Sequence, residues 1–107
     1  MNVYIAGPMS EYRDYNYDWF VETAEQIKAV GGHPVHTANL PRGLTYSDYI
    51  KFSAELLEQC DAIFLSRTHF RSAGAKVEMR IAMDLGLKIF HEMLGIEQVR
   101  EWVENQD

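Results

Sequence analysis

The hydrophobic pattern of the chain alternates between two periods. Four short runs rich in β-branched and aromatic residues are typical of buried strands; they are NVYIAG (2–7), HPVHT (33–37), DAIFL (61–65) and LKIFH (87–91). After each run, apolar residues recur at helical spacing; these segments are residues 16–30, residues 46–59, the later part of 66–86, and GIEQVREWVENQ (95–106). The pattern therefore predicts four strand–helix units in series.

Strand–helix alternation of this kind indicates a parallel sheet with helices on both faces. We predict an α/β fold, a single-domain Rossmann or flavodoxin-like three-layer sandwich over residues 1–107 with four or five parallel strands. Ligands bind such sheets beyond the carboxyl ends of the strands. The rule predicts that three loops meet at one site, namely residues 7–17, 37–45 and 66–74.

Individual residues refine the predicted ends of the first helix and the predicted inward face of the second. Asn16 is a candidate N-cap of the first helix, and the glycine pair at 31–32 is expected to end it. In the second helix we expect the apolar residues Ile50, Leu56 and Leu57 to face the sheet.

Composition and charge narrow the function classes. A formal net charge of −6 argues against a large nucleic-acid footprint, although backbone amides still hold small anions on acidic proteins. Cys60 is the single cysteine, so no internal disulfide is possible. No signal-peptide pattern occurs, and no apolar run approaches the roughly 20 residues that cross a bilayer. We expect a cytoplasmic protein without nucleic-acid or membrane partners.

Glu78 does not fit the pattern of its helix. The charged residues of this helix share one stripe; they are Lys76, Arg80 and Asp84. Glu78 lies about 160° from that stripe, beside Ala75, Ala82 and Leu85. A buried carboxylate must be paired, protonated or used. Two interpretations stay open: an ion pair with Arg13 or Arg71, and a nucleophile or base at the ligand-binding edge.

Other candidates lie around the same edge. Ser72, Ala73 and Gly74 lead into the third helix, where free amides favour an anion, although Ser72 is equally a candidate helix cap. For Tyr4 on the first strand, two interpretations stay open: its phenol orients Glu78 by a hydrogen bond, or the residue simply packs in the core.

The first loop offers two further candidate groups. Its residues Gly7, Pro8, Met9 and Ser10 suit a sugar or phosphate, or form an ordinary turn. The aromatic residues that follow have three candidate roles: stacking on a base, forming a hydrophobic staple at the start of the helix, or contacting a second subunit. They are Tyr12, Tyr15, Tyr17 and Trp19.

Several familiar sites are not expected. The histidines at 33, 36, 69 and 91 form no helical pair, so we expect no metal site. The chain contains no G-x-G-x-x-G, P-loop or G-x-S-x-G pattern. We therefore expect no cofactor.

Three segments together resemble the nucleoside 2-deoxyribosyltransferase-like superfamily: VYIAGPMS, CDAIFL and SAGAKVEMRIAMDLGLKIF. The resemblance is strongest to a branch of small proteins, many of them encoded by bacteriophages. The superfamily also includes the 2′-deoxynucleoside 5′-monophosphate N-glycosidases. A cytoplasmic homodimer is implied, in the host cytoplasm if the protein is phage-encoded.

The resemblance also implies residue roles. Glu78 matches the nucleophile that attacks the anomeric carbon, and Tyr4 matches the tyrosine that positions it. Ser72 stands where the monophosphate hydrolases contact the phosphate. The substrate-binding candidates are then Gly7, Pro8, Met9, Ser10, Asn16, Ser72, Ala73 and Gly74.

One position departs from the superfamily. An aspartate that assists departure of the base commonly stands eight residues before the position of Asp61, itself a candidate cap; here that residue is Ser53. A serine is no general acid near neutral pH. Either Asp48, Glu55 or water substitutes, or the base leaves without a proton, or the protein binds without turnover.

Three hypotheses follow. The first is an N-glycosidase or deoxyribosyltransferase that cleaves the base–sugar bond of a (deoxy)nucleoside 5′-monophosphate through a covalent glycosyl ester of Glu78. The second is a nucleotide-binding or sequestering module. The third is a glycohydrolase that acts on NAD or a related dinucleotide, a substrate whose nicotinamide leaves without protonation.

Overall fold

The computed structural model describes residues 1–9, 13–41 and 43–106, except for the side chains of residues 13 and 14. Within this part, the strands are β1 (Asn2–Ala6), β2 (His33–Val35), β3 (Ala62–Leu65) and β4 (Lys88–His91). The helices are α1 (Tyr17–Ala29), α2 (Tyr46–Leu57), α3 (Ala73–Asp84) and α4 (Glu97–Glu104), joined in places by short 3-10 turns. Every predicted strand and helix is present, although α2 ends at Leu57 rather than Gln59.

The four strands form one sheet in the order β2-β1-β3-β4, and every pairing is parallel. The predicted Rossmann-like α/β fold is therefore confirmed, with four strands. The chain passes from β1 to β2 on one side and then returns to β3 on the other. This reversal creates a crevice at the carboxyl ends of β1 and β3, where ligands of such sheets bind.

Alternating side chains of the central strands divide the core into two layers. Val3 and Ile5 of β1 pack into a cluster with residues of α1 and α4. Tyr4 and Ala6 point to the opposite face and pack into a second cluster with residues of α2 and α3. The sheet is therefore covered on both sides, as the three-layer prediction required.

Burial varies along the predicted inward faces of two helices. In α2, Leu57 is buried as predicted, together with Ser53, and Leu56 packs against the same core cluster although it is half-buried. Ile50 is also half-buried. In α3, Ala75 and Ala82 are buried, but Leu85 remains 45% exposed because it caps the helix end.

Asn16 occupies the N-cap position of α1, as predicted, but its side chain does not cap the helix. Its backbone is left-handed, with φ of 61°, and its side chain makes no capping bond. A capping side chain needs an extended backbone to reach the free amides of the helix. The Asn16 side-chain amide instead donates to the carbonyl of Pro8 at 3.1 Å, so it holds the loop after β1.

Within the described ranges, none of the helices combines the length and the hydrophobicity that a membrane-spanning segment needs.

Gly7 and Trp19 fix the loop after β1. A Cβ on Gly7 would lie 2.7 Å from Cζ3 of Trp19 and 3.2 Å from Cβ of Ser66. The indole Nε1 donates to Glu92 at 2.9 Å, and the same carboxylate accepts from the amide of Arg67 at 2.9 Å. The indole ring therefore occupies the space that a side chain at position 7 would need.

This packing makes Gly7→Ala a defined test of the loop. We expect the substitution to lower the free energy of unfolding by about 1–3 kcal/mol, because the added methyl overpacks against the indole. Urea denaturation followed by circular dichroism measures the loss. In a Trp19→Phe background the same substitution should have a smaller effect. An equal loss in both backgrounds would show that the indole is not the cause.

Candidate active site

Glu78 lies in the core layer between the sheet and α3, with only 1% of its surface exposed. It faces inward beside Ala75 and Ala82, as the helical pattern predicted. Because these neighbours are small, the helix packs closely on the sheet. The carboxylate is therefore held against β1 and α2.

Two phenol hydroxyls bind the same oxygen of this carboxylate. Tyr4, which is fully buried, and Tyr49 both donate to Oε2 of Glu78, the second at 3.3 Å. Ser53 Oγ lies 3.2 Å from the Tyr4 hydroxyl. Thr37 donates to the Tyr49 hydroxyl at 3.2 Å. The carboxylate thus lies against a connected group of hydroxyls that β1, α2 and the loop after β2 supply.

The second oxygen, Oε1, is buried and has no hydrogen-bond partner among the described residues. The ion pair with Arg71, one of the two interpretations left open by the sequence, does not form; that guanidinium lies over the ring of Phe70, 5.6 Å from its centroid. The side chain of Arg13 is outside the described part of the chain. A buried carboxylate oxygen without a partner is destabilising and is typical of a functional group.

Burial raises the pKa of Glu78 from 4.5 to about 7, although the neighbouring hydroxyls of Tyr4, Ser53 and Tyr49 act in the opposite direction. Burial, followed by the charge of Glu78, raises the pKa values of Tyr4 and Tyr49 above the ordinary range. Both phenols therefore stay protonated and remain donors. Near neutral pH the carboxyl is divided between its charged and neutral forms.

A pocket of about 240 Å³ opens beside this group at the carboxyl ends of the strands. Its lining comes from the three predicted loops and from α2; it comprises Gly7, Met9, Tyr15, Thr37, Ala38, Leu40, Pro41, Gly43, Leu44, Thr45, Tyr46, Tyr49, Ser72 and Gly74. Glu78 and Tyr4 lie behind the lining. Gly74 precedes Glu78 by one turn on the same helix face, so the pocket floor leads toward the carboxylate.

Of the predicted substrate-binding residues, the pocket brings together Gly7, Met9, Ser72 and Gly74. Ser72 also caps α3, since its Oγ accepts from the amide of Ala75 at 3.1 Å. The two predictions for Ser72, a helix cap and a residue at the ligand site, are therefore compatible.

Other predicted residues do not reach the pocket. Pro8 and Asn16 bind each other within the loop after β1, and Ala73 is exposed at the start of α3. Ser10 falls outside the described residues. Asp61 accepts from the amide of Asn2 at 2.8 Å, which joins β1 to the start of β3.

The aromatic residues of the first loop have separate positions. Tyr15 lines the pocket. Tyr17 is exposed on α1, outside the lining, and Trp19 packs on Gly7. Tyr12 falls outside the described residues.

Sequence reasoning missed Tyr49 and Thr37. A signal for Tyr49 existed, because Tyr49, Ser53 and Leu57 recur every four residues and so share one face of α2. Thr37 follows β2, and nothing in its local sequence distinguishes it from an ordinary loop residue.

Metal ligands do not cluster in the part of the chain that is described: no three His, Cys, Asp or Glu side chains are placed to hold an ion. The ring centroids of His69, in the short turn after β3, and of His91, at the end of β4, lie 5.9 Å apart.

The fold is similar to that of a solved structure, a 2-desoxiribosyltransferase from Leishmania mexicana. The two superpose with a TM-score of 0.68 and 19% sequence identity, over 84% of this chain and 62% of that chain. The present chain thus spans less than two thirds of the length of this neighbour. At such identity the likeness shows a common fold. No protein of curated function matches the chain.

A family model described as a domain of unknown function, DUF4406, matches residues 1–91. The matched part contains the whole sheet, α1 to α3, and the residues around Glu78. The chain therefore belongs to the DUF4406 family.

Proposed function

We propose that this chain is an N-glycosidase or deoxyribosyltransferase that cleaves the base–sugar bond of a (deoxy)nucleoside 5′-monophosphate. The observation that carries the proposal is the carboxylate of Glu78, buried beside a pocket with Oε1 unpaired. A carboxylate kept in an apolar layer without a counter-charge is destabilising, so a reactive role explains its retention. The fold similarity to a deoxyribosyltransferase agrees with this role.

The reaction has two steps. Oε1 of Glu78 attacks C1′ of the sugar, the C1′–N bond breaks, and its electron pair leaves with the base, which takes a proton. A glycosyl ester of Glu78 results. In hydrolysis, water then attacks C1′, loses a proton and restores the carboxylate; in transfer, a second base attacks instead. Retaining glycosidases use a carboxylate nucleophile in the same manner.

Tyr4 serves this reaction by holding the carboxylate. Its phenol donates to Oε2, so the negative charge is stabilised there while Oε1 stays unbonded. Since the pKa of Tyr4 is well above its usual range, the phenol keeps its proton throughout. Glu78 is thereby held in one orientation before substrate arrives.

The start of α3 suits the phosphate. The free amides of a helix N-terminus favour an anion. Ser72 lines the pocket, and because its oxygen accepts from Ala75, the hydroxyl hydrogen is available for a ligand. Aromatic and apolar residues make up much of the remaining wall, among them Tyr15, Leu40 and Tyr46, which suits the flat ring of a base.

The leaving base receives its proton from water in this proposal. Ser53 is buried against Tyr4 and lies outside the pocket lining. Asp48 and Glu55, the substitutes considered from sequence, are exposed on α2 and also lie outside the lining. Bases that leave readily are therefore the preferred substrates.

A nucleotide-binding module is the second candidate. It is favoured by one observation: Glu78 lies behind the pocket lining rather than in it. A ligand that stays in the pocket without reaching the carboxylate would be bound and not cleaved. The binding module predicts stoichiometric binding without release of base.

Base release distinguishes these candidates. The purified protein is incubated with ribo- and deoxyribonucleoside 5′-monophosphates, nucleosides and NAD, and free base is followed by chromatography. We expect release from a monophosphate, and Glu78→Gln should lower its rate roughly 10⁴-fold or more, because the nucleophile is lost. Glu101→Gln, the same change on exposed α4, is the matched control.

Each other outcome decides between the candidates. Release from nucleosides alone would contradict the phosphate assignment at Ser72. Release from NAD alone would favour the glycohydrolase. Binding without any release would support the binding module, and release that survives Glu78→Gln would remove the carboxylate from the mechanism.

The raised pKa of Glu78 also predicts how stability depends on pH. The folded protein binds the Glu78 proton with a pKa of about 7, against 4.5 for the ordinary group. The group's contribution to the free energy of unfolding therefore falls as pH rises between these values and stays low above about 7. Glu78→Gln removes this dependence.

We expect the stability of Glu78→Gln relative to the parent to improve by about 3 kcal/mol between pH 4.5 and pH 8. Urea denaturation of both proteins at several pH values measures the difference, with Glu101→Gln again as control. A difference that does not change with pH would show that the carboxyl of Glu78 does not titrate near neutrality.

A further inference from the structure

Tyr49 connects the pocket to the buried carboxylate. Among the described residues, it is the one that both lines the pocket and donates a hydrogen bond to Glu78. Tyr4, the other donor, lies behind the lining and is fully buried. A ligand that enters the pocket therefore meets the phenol of Tyr49 beside the carboxylate.

Three contacts fix the ring of Tyr49. Thr37 donates to its hydroxyl at 3.2 Å, and Sδ of Met9 lies 3.7 Å from the same oxygen. The ring packs on Gly74, where an added Cβ would lie 3.3 Å from Cε1 of Tyr49. The absence of a side chain at Gly74 therefore leaves the space that the ring occupies, and the hydroxyl is held in one position.

The position of this hydroxyl distinguishes the two carboxylate oxygens. Tyr4 and Tyr49 both bind Oε2 of Glu78, and no described group binds Oε1. Donated hydrogen bonds hold charge on the oxygen that accepts them and reduce its reactivity. The oxygen without donors is then the better nucleophile, provided that the carboxylate does not rotate. One donor permits rotation about the bonded oxygen, whereas two donors from different elements oppose it.

We propose that Tyr49 is a second positioning residue of Glu78, which together with Tyr4 holds Oε2 and so presents Oε1 to the anomeric carbon. The proposal rests on the function proposed above for Glu78. A pocket-wall role alone would require only the ring of Tyr49. A positioning role requires the hydroxyl.

Tyr49→Phe tests the hydroxyl and keeps the ring. Its first measurement is independent of activity: the carboxyl of Glu78 is titrated by ¹³C NMR, with Glu78→Gln identifying the resonance. We expect its pKa to move upward from about 7 by about one to two pH units, because a hydrogen bond to the charged form is lost. Tyr17→Phe, the same change at an exposed tyrosine outside the pocket lining, should leave it unchanged.

The second measurement is kinetic. We expect kcat of Tyr49→Phe to fall about 10- to 100-fold with little change in KM, and the rising limb of its pH profile to move upward with the carboxyl pKa. Thr37→Val is a further variant, useful if Tyr49→Phe does not fold. It removes the donor to the Tyr49 hydroxyl, so it should shift the pKa in the same direction by a smaller amount.

The outcomes separate this proposal from the function on which it rests. A parent that releases no base contradicts the proposed function, and the NMR titration still decides whether Tyr49 holds Glu78. An active parent whose Glu78 pKa and kcat are unchanged in Tyr49→Phe overturns the positioning role. A raised KM with unchanged kcat also overturns it, because Tyr49 would then act only as a wall of the pocket.

Discussion

The buried carboxylate of Glu78 constrains how the strands and helices around it are arranged. Glu78 is enclosed between the sheet and α3, where a charge is destabilising and no described cation compensates it. Hydroxyls of Tyr4 and Tyr49 compensate one oxygen only, so the pKa of the carboxyl remains near 7. This arrangement requires β1, α2 and α3 to lie in fixed positions, because β1 supplies Tyr4, α2 supplies Tyr49 and α3 supplies Glu78.

The sheet order is what brings these members together. β1 lies between β2 and β3, so Tyr4 on its inner face reaches the layer that α2 and α3 form. The same order collects the loops after β1, β2 and β3 at one edge, where they form the pocket. Glu78 lies one turn into α3, near this edge and shielded behind the pocket lining. Fold and site are thus consequences of one topology.

The sequence predicted what depends on local periodicity and missed what depends on distant contacts. The strands, the helices and the inward orientation of Glu78 follow from the spacing of apolar residues along each element. The packing of Trp19 on Gly7, and the left-handed backbone of Asn16, depend on where the loop after β1 meets its neighbours. Tyr49 on α2 donates to Glu78 on α3, and this contact depends on how the two helices are rotated relative to each other, which only the fold determines.

Ser53 has a consistent place in this arrangement. The resemblance to the deoxyribosyltransferase-like superfamily implies an aspartate there, yet Ser53 lies fully buried with its Oγ 3.2 Å from the hydroxyl of Tyr4. A second carboxylate at this distance would repel the charge of Glu78 and raise its pKa further above 7. A serine hydroxyl instead lowers that pKa. Among the described residues, only hydroxyls donate to Glu78, and its pKa of about 7 keeps a part of the carboxyl charged at neutral pH, as the nucleophilic role that we propose requires.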